Sequence, residues 1–402
     1  MVRSLLRNQQ ATFLLASSLS TTGSFAGLTA KGWLILQASD SALITALNFA
    51  GLALPSLLIS RHAGVLTDRL GCERVLVWAQ FGLFAGAGVA VVGYPLTIGT
   101  GQVIVLLLST LLVGVASTYE LSARNKYCAL VVDRPEQLGR FLASFSVLFN
   151  VAKLVGPPIG GFLVAGVGAS AALGIDACSY LIPIATVIWI LRPHREREEL
   201  SGGGNADLRV AWRECGSVVR HTLQFTAIAC LIGFFHPGMA SVIARETIGP
   251  SPQDLGLFTS VLAAGSISGG LVLRHHSSAL AARPSLLLGG SALITALSQL
   301  GMASDPGPRG ALVLAFGIGA GTAVLLSGAN LIGQLRSAQR IRGRVAGMAQ
   351  IAFLGGGGMS GLAAASLTMG FGLPFCFGLL GSLGAMVALL ELARFGRAPT
   401  TA

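Results

Sequence analysis

Lys153 lies inside the apolar stretch "SVLFNVAKLVGPPIGGFLV", three residues after Asn150, so on a helix the two share one face. Both can hydrogen-bond a solute, and Lys153 can also take up or release a proton. Further ionisable side chains stand in similar surroundings: Lys31 after "GSFAGLTA", Asp176 after "AALGI", and His236 before Pro237 and Gly238 in "LIGFFHPGMA". An ionisable group in an apolar medium is costly, and is kept where it binds, pairs or moves charge. Two readings stand for Lys153. It contacts an anionic or hydroxylated solute, or responds to protonation of a nearby acid; alternatively it is a fixed countercharge for Asp176 or Glu120. Asp176 is the candidate proton carrier, and Lys31 can pair with it or with Asp40. Glu120 is better placed to pair with Arg124 than to do chemistry. At His236, contact with a ligand or proton stands beside simple packing, and the missing amide of Pro237 predicts a bent helix there.

None of these groups forms an enzyme's constellation. No G-x-x-x-x-G-K-[ST] run is present to cradle a phosphate, and no His/Cys/Asp cluster suggests a metal or a nucleophile. The six cysteines are far apart with no C-x-x-C pair, so they read as small apolar residues. No cofactor is expected. A net charge of +11 raises the question of nucleic acid, but the 24 arginines and three lysines are scattered in small groups between apolar runs. Nucleic acid is therefore excluded as a partner.

The surroundings of the ionisable residues explain the scatter. Hydrophobic residues make up 53% of the chain, mean hydropathy is +0.74, and there are 54 glycines. That composition belongs to a polytopic membrane protein whose helices approach closely through small residues. Twelve apolar windows emerge: 13–37, 41–60, 74–95, 102–122, 140–165, 171–191, 222–244, 254–273, 284–303, 311–334, 343–368 and 373–393. The basic start of the N-terminus leads into an apolar run extending to Gln37, which predicts an uncleaved first helix. Lys and Arg collect on the cytoplasmic side. With both termini cytoplasmic, only Arg245 and Arg309 of the 27 basic residues fall on the opposite face, while Lys31 and Lys153 lie inside spans.

The longest connection divides the chain, giving a bundle over 1–192, a linker over 193–221 and a bundle over 222–402. In the linker, Leu208, Trp212, Cys215 and Val219 recur at helical spacing opposite Arg209, Arg213 and Arg220. This predicts an amphipathic helix on the membrane surface, or a tether between bundles. "GRFLASFSVLF" at 139–149 and "GRVAGMAQIAF" at 343–353 share their first two residues and their last, as a repeat of six helices would place them. Trp33, Trp78 and Trp189 sit near span ends and suit interfacial anchoring. The run of four glycines at 355–358 predicts bending or close packing.

Between the second and third windows, "RHAGVLTDRLGCER" puts five charges (Arg61, Asp68, Arg69, Glu73 and Arg74) into fourteen residues of a chain that is only 11% charged. It resembles the loop signature of the major facilitator superfamily, with Gly64, Asp68, Arg69, Gly71 and Arg74 in place. Cys72 and Glu73 stand where that family has further basic residues. "NVAKLVGPPIGG" resembles the fifth-helix motif of the family's exporters at Gly156, Pro157, Gly160 and Gly161. "RNQQATFLLASSLSTTG", "GWLILQASDSAL", "IARETIG" and "RIRGRVAGMAQIAFLGG" look like the branch of enterobactin exporters and macrolide efflux proteins. The resemblance covers nearly the whole chain.

It implies an all-α integral membrane protein, twelve transmembrane helices in two pseudo-symmetric six-helix bundles. It further implies proton-driven efflux of small amphipathic molecules, of siderophore or drug class, by alternating access. The implied partners are that small-molecule substrate, protons as coupling ion and the lipid bilayer, for a monomer in a bacterial-type inner membrane. A lysophospholipid flippase, a solute importer or a transport-inactive sensor are the alternatives. In the family, the aspartate matching Asp68 latches the two halves on the cytoplasmic side; its expected partners here are Arg124 and the start of span eleven near Gly343.

Overall fold

A computed structural model describes residues 9–132, 138–190, 212–233, 237–338 and 341–395. The described chain is helical throughout. In order it forms α1 (Gln9–Ser39), α2 (Ala42–Leu70), α3 (Cys72–Leu96), α4 (Thr100–Val131), α5 (Leu138–Val167), α6 (Ala169–Ser179) and α7 (Leu181–Ala185), the last continued by a π turn over Thr186–Ile190. Then follow α8 (Ser217–Ile232), a 3-10 turn over Pro237–Met239, α9 (Ala240–Thr247), α10 (Pro252–His275), α11 (Ser277–Ala282), α12 (Pro284–Met302), α13 (Gly307–Arg336), α14 (Arg342–Phe371) and α15 (Leu373–Phe395).

Among the described residues, eleven helical stretches are long and apolar enough to cross a bilayer. The expected first span is the exception: α1, at 31 residues, is about 46 Å long, more than the roughly 30 Å of a hydrocarbon core, yet it is rich in Ser and Thr. Its hydroxyls are masked locally. Thr21, Thr22, Ser24, Thr29 and Ser39 each donate to the carbonyl four residues back, at 2.7 to 3.0 Å. The polar composition of α1 thus costs its backbone little, and α1 completes the set of twelve by length.

The chain divides into two compact units, Met1–Asp40 with Gly51–Asn205, and Ser41–Ala50 with Ala206–Ala402. Each is built by the same pairings. In the first unit α5 lies on α1, where a Cβ at Gly156 would stand 2.6 Å from the Phe25 Cβ and one at Gly160 would strike the Ala26 carbonyl. In the second, α14 lies on α8, where a Cβ at Gly356 would stand 2.8 Å from the Cys230 Cβ. Gly114 of α4 likewise meets the backbone of α2 at Gly51 and Leu52, as Gly265 and Gly269 of α10 meet α13 at Phe316 and Ala320. Small residues therefore set the helix distances in both units. The four-glycine run serves packing, since α14 continues unbroken from Arg342 to Phe371.

Three sequence expectations need correction. The charged signature is not a loop: α2 continues to Leu70 and α3 starts at Cys72, leaving Gly71 alone between them at φ 86°. Only glycine adopts that left-handed conformation without strain, which accounts for its place. Gly64, in contrast, faces open space within α2, so no close approach explains it. Cys72 is 2% exposed and packs with Phe13, Tyr127 and Phe141, so burial displaces the basic residue expected there. Secondly, Trp33 is 3% exposed and belongs to the core, whereas Trp78 and Trp189 face outward at 77% and 73%. Thirdly, the described part of the linker's apolar face does not lie on lipid: Trp212, Cys215 and Val219 pack with Ile341, Val345 and Ala349. Leu208 and Arg209 fall outside the described residues.

Candidate functional site

Two buried charge clusters lie within the first unit. Lys31 of α1 and Asp176 of α6 form an ion pair of 3.0 Å, their side chains 3% and 2% exposed. Space for it comes from α1, because a Cβ at Gly27 would strike the Asp176 carboxylate and one at Gly23 would strike Ser179. The Ser179 hydroxyl in turn donates to the Asp176 carbonyl at 2.7 Å, and Tyr180, which follows α6, is buried. Of the two partners open to Lys31 in the sequence, Asp40 and Asp176, the fold brings Asp176.

The second cluster starts from α4. Glu120 accepts from the Arg124 guanidinium at 3.0 Å, and from Gln80 Nε2 of α3 at 3.4 Å. Arg124 then stacks on two rings of α5, its Cζ 5.1 Å from the Phe145 centroid and 4.9 Å from that of Phe149. One turn along α5, the Lys153 ammonium lies 4.8 Å from the same Phe149 ring and 5.9 Å from Phe25 of α1. The order along the cluster is therefore carboxylate, guanidinium, ring, ammonium, ring. Ring faces attract cations, most strongly where water is excluded. Lys153, Phe149 and Phe25 are half-buried and Asn150 is exposed, so this end of the cluster remains open.

Arg124 is thus committed to Glu120, and is not the partner expected for Asp68. That partner is Lys126, two residues further along α4. The Asp68 and Lys126 pair is half-exposed and belongs to a series of polar contacts between α2 and α4, with Thr67 donating to Ser122 at 3.4 Å and His62 meeting Tyr119 at 2.9 Å. Arg69 and Arg74 are exposed on either side of Gly71. In the exporter-type motif, Gly156, Gly160 and Gly161 are buried, while Pro157 sits inside α5 without ending it.

In the second unit the helix break is sharper than the bend predicted at Pro237. Helix α8 ends at Ile232, Gly233 caps it at φ 87°, and α9 resumes at Ala240. Gln299 of α12, 2% exposed, donates to the Gly233 carbonyl at 2.5 Å, satisfying a group the break sets free. His236 falls outside the described residues. Near the helix ends, Glu391 of α15, 3% exposed, lies 2.9 Å from His221 Nε2 and 3.6 Å from Arg394. Sequence reasoning missed Gln80, Lys126, Gln299 and Glu391. A lone polar residue inside an apolar window marks Gln80, Gln299 and Glu391; nothing local marks Lys126.

Among the described residues no group of His, Cys, Asp and Glu is arranged to hold a metal ion. The family model described as transmembrane secretion effector matches residues 4–396. The multidrug efflux pump Tap of Mycobacterium tuberculosis (strain ATCC 25618 / H37Rv) is 26% identical over 379 residues, covering 90% of this chain and 88% of its own. That of Mycolicibacterium fortuitum is 27% identical over 359 residues, covering 84% of each. Among solved structures, the nucleoside transporter NupG superposes with a TM-score of 0.70 at 13% identity, covering 96% of this chain and 99% of its own. A peptide transporter, POT in complex with sulfate, gives 0.70 at 13%, covering 97% and 95%. At such identities the likeness is one of fold.

Proposed function

This chain belongs to the transmembrane secretion effector family, within the major facilitator superfamily, and from that premise we propose that it expels small amphipathic molecules by alternating access in exchange for protons. The observation carrying the direction of transport is the similarity to multidrug efflux pumps along most of both chains. It favours drug-like substrates over siderophores. The cluster from Glu120 to Phe25 supports a site on the first unit for a solute with an apolar body, because its open end presents aromatic rings. The Lys31 and Asp176 pair is enclosed on α1 and α6, which supports an anchoring role rather than the proton-carrying role considered for Asp176 from sequence. Lys153, Asn150 and His236 remain the candidates for direct solute contact.

Asp68 is proposed as the charge of a cytoplasmic gate, supported by the family signature at Gly64, Asp68, Arg69, Gly71 and Arg74 and by its engagement with Lys126. The distribution of arginines supports an inner-membrane protein with both termini cytoplasmic, and it is proposed to act as a monomer.

The experiment is efflux from proteoliposomes. Purified protein, reconstituted with ethidium and an imposed pH gradient, is expected to move ethidium against its concentration gradient and to lose that movement when the gradient is collapsed. Movement only down its gradient, or none for any drug-like probe while a flipped lysophospholipid is detected, would overturn the reading.

A further inference from the structure

His221 stands near the start of α8, and Glu391 and Arg394 near the end of α15, where the linker enters the second unit and the chain leaves it. His221 Nε2 lies 2.9 Å from both Glu391 oxygens. A carboxylate only accepts, so this nitrogen carries a hydrogen, and in the neutral ring Nδ1 keeps its lone pair. Arg394 Nη1, at 3.2 Å, donates to it. The charges then cancel, one carboxylate against one guanidinium with a neutral ring between them.

The three side chains are held unequally. Val219 and Leu223 fix the other face of α8 in an apolar cluster with Val345 and Ala349 of α14. The Glu391 side chain is 3% exposed, and its neighbours Ala388 and Leu392 press on α12, where a Cβ at Gly289 would stand 2.8 Å from Leu392 and 3.0 Å from the Ala388 carbonyl. The Arg394 side chain, 66% exposed, can turn to water without uncovering anything buried. His221 is exposed enough, at 33%, for water to deliver a proton.

We propose that His221, Glu391 and Arg394 form a pH-operated clamp between α8 and the end of α15, in which a proton on His221 Nδ1 takes the place of the Arg394 hydrogen bond. Histidine is the side chain that changes charge between about pH 5 and 8. A proton from water bonds to the Nδ1 lone pair, the hydrogen bond from Nη1 breaks, and the ring becomes a cation. The imidazolium keeps Glu391, because Nε2 still donates. The guanidinium has lost its acceptor and faces a second cation; its other contact, 3.6 Å to Glu391, is too long for a hydrogen bond. Acid thus unties the last turn of α15 from α8, and neutral pH ties it again.

The other charges nearby leave this contest to the three. Helix α8 packs on α12, α13, α14 and α15. Of these, α12 carries no ionisable side chain, α13 carries Arg309 and Arg336 near its two ends, and α14 opens with Arg342 and Arg344. Arg213, Glu214 and Arg220, before His221 in the chain, are exposed. Cys215 belongs to the α14 contact, and Cys230 and Cys376 stand at the far ends of α8 and α15. Among the described residues, Glu391 and Arg394 are the polar partners of the His221 ring. The clamp goes beyond the efflux reading and does not rest on it.

The test uses the full-length protein in nanodiscs between about pH 5 and 8, the range in which histidine titrates. Hydrogen exchange of the last turn of α15 is read by mass spectrometry, and the ring of His221 by the labelled-histidine signal that His221→Gln lacks. In wild type, protection corrected for the intrinsic rate at each pH is expected to fall several-fold as the ring protonates. His221→Gln keeps a donor towards Glu391 and takes up no proton, so its protection should not follow pH. Arg394→Gln changes an exposed side chain and keeps the His221 and Glu391 contact, so it tests the clamp even if His221→Gln fails to fold. It should be poorly protected throughout, and its ring should protonate at higher pH than in wild type, since the competitor is gone. A ring that stays in one state across the range, wild-type protection that ignores its protonation, a pH response retained in His221→Gln, or a ring titration unmoved by Arg394→Gln would each overturn the clamp.

Discussion

The Lys31 ammonium and the Asp176 carboxylate meet at 3.0 Å between α1 and α6, in a notch that Gly27 leaves on α1. Both charges are almost wholly withdrawn from solvent. Taking two ions out of water consumes most of their attraction, so such a pair adds little net stability, whereas removing one partner leaves an uncompensated charge. Asp176→Leu and Lys31→Met are each therefore expected to destabilise the protein by about 3–5 kcal/mol, and their combination to recover most of that loss. Thermal unfolding in detergent of the two single variants and the double variant measures the coupling; additive losses would refute it.

Close helix approach gives a second expectation. A methyl at Gly160 meets the Ala26 backbone, which cannot move aside as a flexible side chain can. Gly160→Ala should cost about 1–3 kcal/mol as an overpacked contact. Gly166, on the same helix with open space around it, is the control, and Gly166→Ala should leave the melting temperature unchanged or slightly raised.

Gln299 provides the third. Its amide closes the carbonyl exposed where α8 ends at Gly233. Gln299→Leu keeps comparable bulk but leaves that buried acceptor unsatisfied, at a cost of about 1–3 kcal/mol. Gln299→Glu, lacking the amide donor, should be no better unless it is protonated. Hydrogen exchange at the residues around Gly233 should quicken in both; unchanged protection would mean that the break is held by other contacts.

Asp68 gives the fourth. Its pair with Lys126 is half-exposed, so its worth to stability is only about 0.2–1 kcal/mol. Asp68→Asn keeps the shape and removes the charge. Its melting temperature and surface expression should match wild type while transport falls several-fold. Normal transport at normal expression would leave the charged segment with no role beyond setting topology.

Much of this architecture follows from one-dimensional pattern. A hydrocarbon core demands long apolar helices, arginines exclude themselves from it, and glycines punctuate the windows, so eleven of the twelve expected spans appear as apolar helices, many within a few residues of their predicted bounds. The pairing of Lys31 with Asp176 was among the alternatives the sequence offered, because few carboxylates were available inside the apolar runs. Long-range geometry settled the remainder. Arg124 goes to Glu120 on its own helix, which leaves Asp68 to Lys126, and no local signal distinguishes the two bases, which stand two positions apart on α4. Likewise the ring site needs Phe25 and Phe149, 124 positions apart, and the seal at Gly233 needs Gln299, 66 positions away. Burial and hydropathy are properties of a residue and its neighbours along the chain; partnership belongs to helices brought together by small residues, and it becomes fixed when they pack.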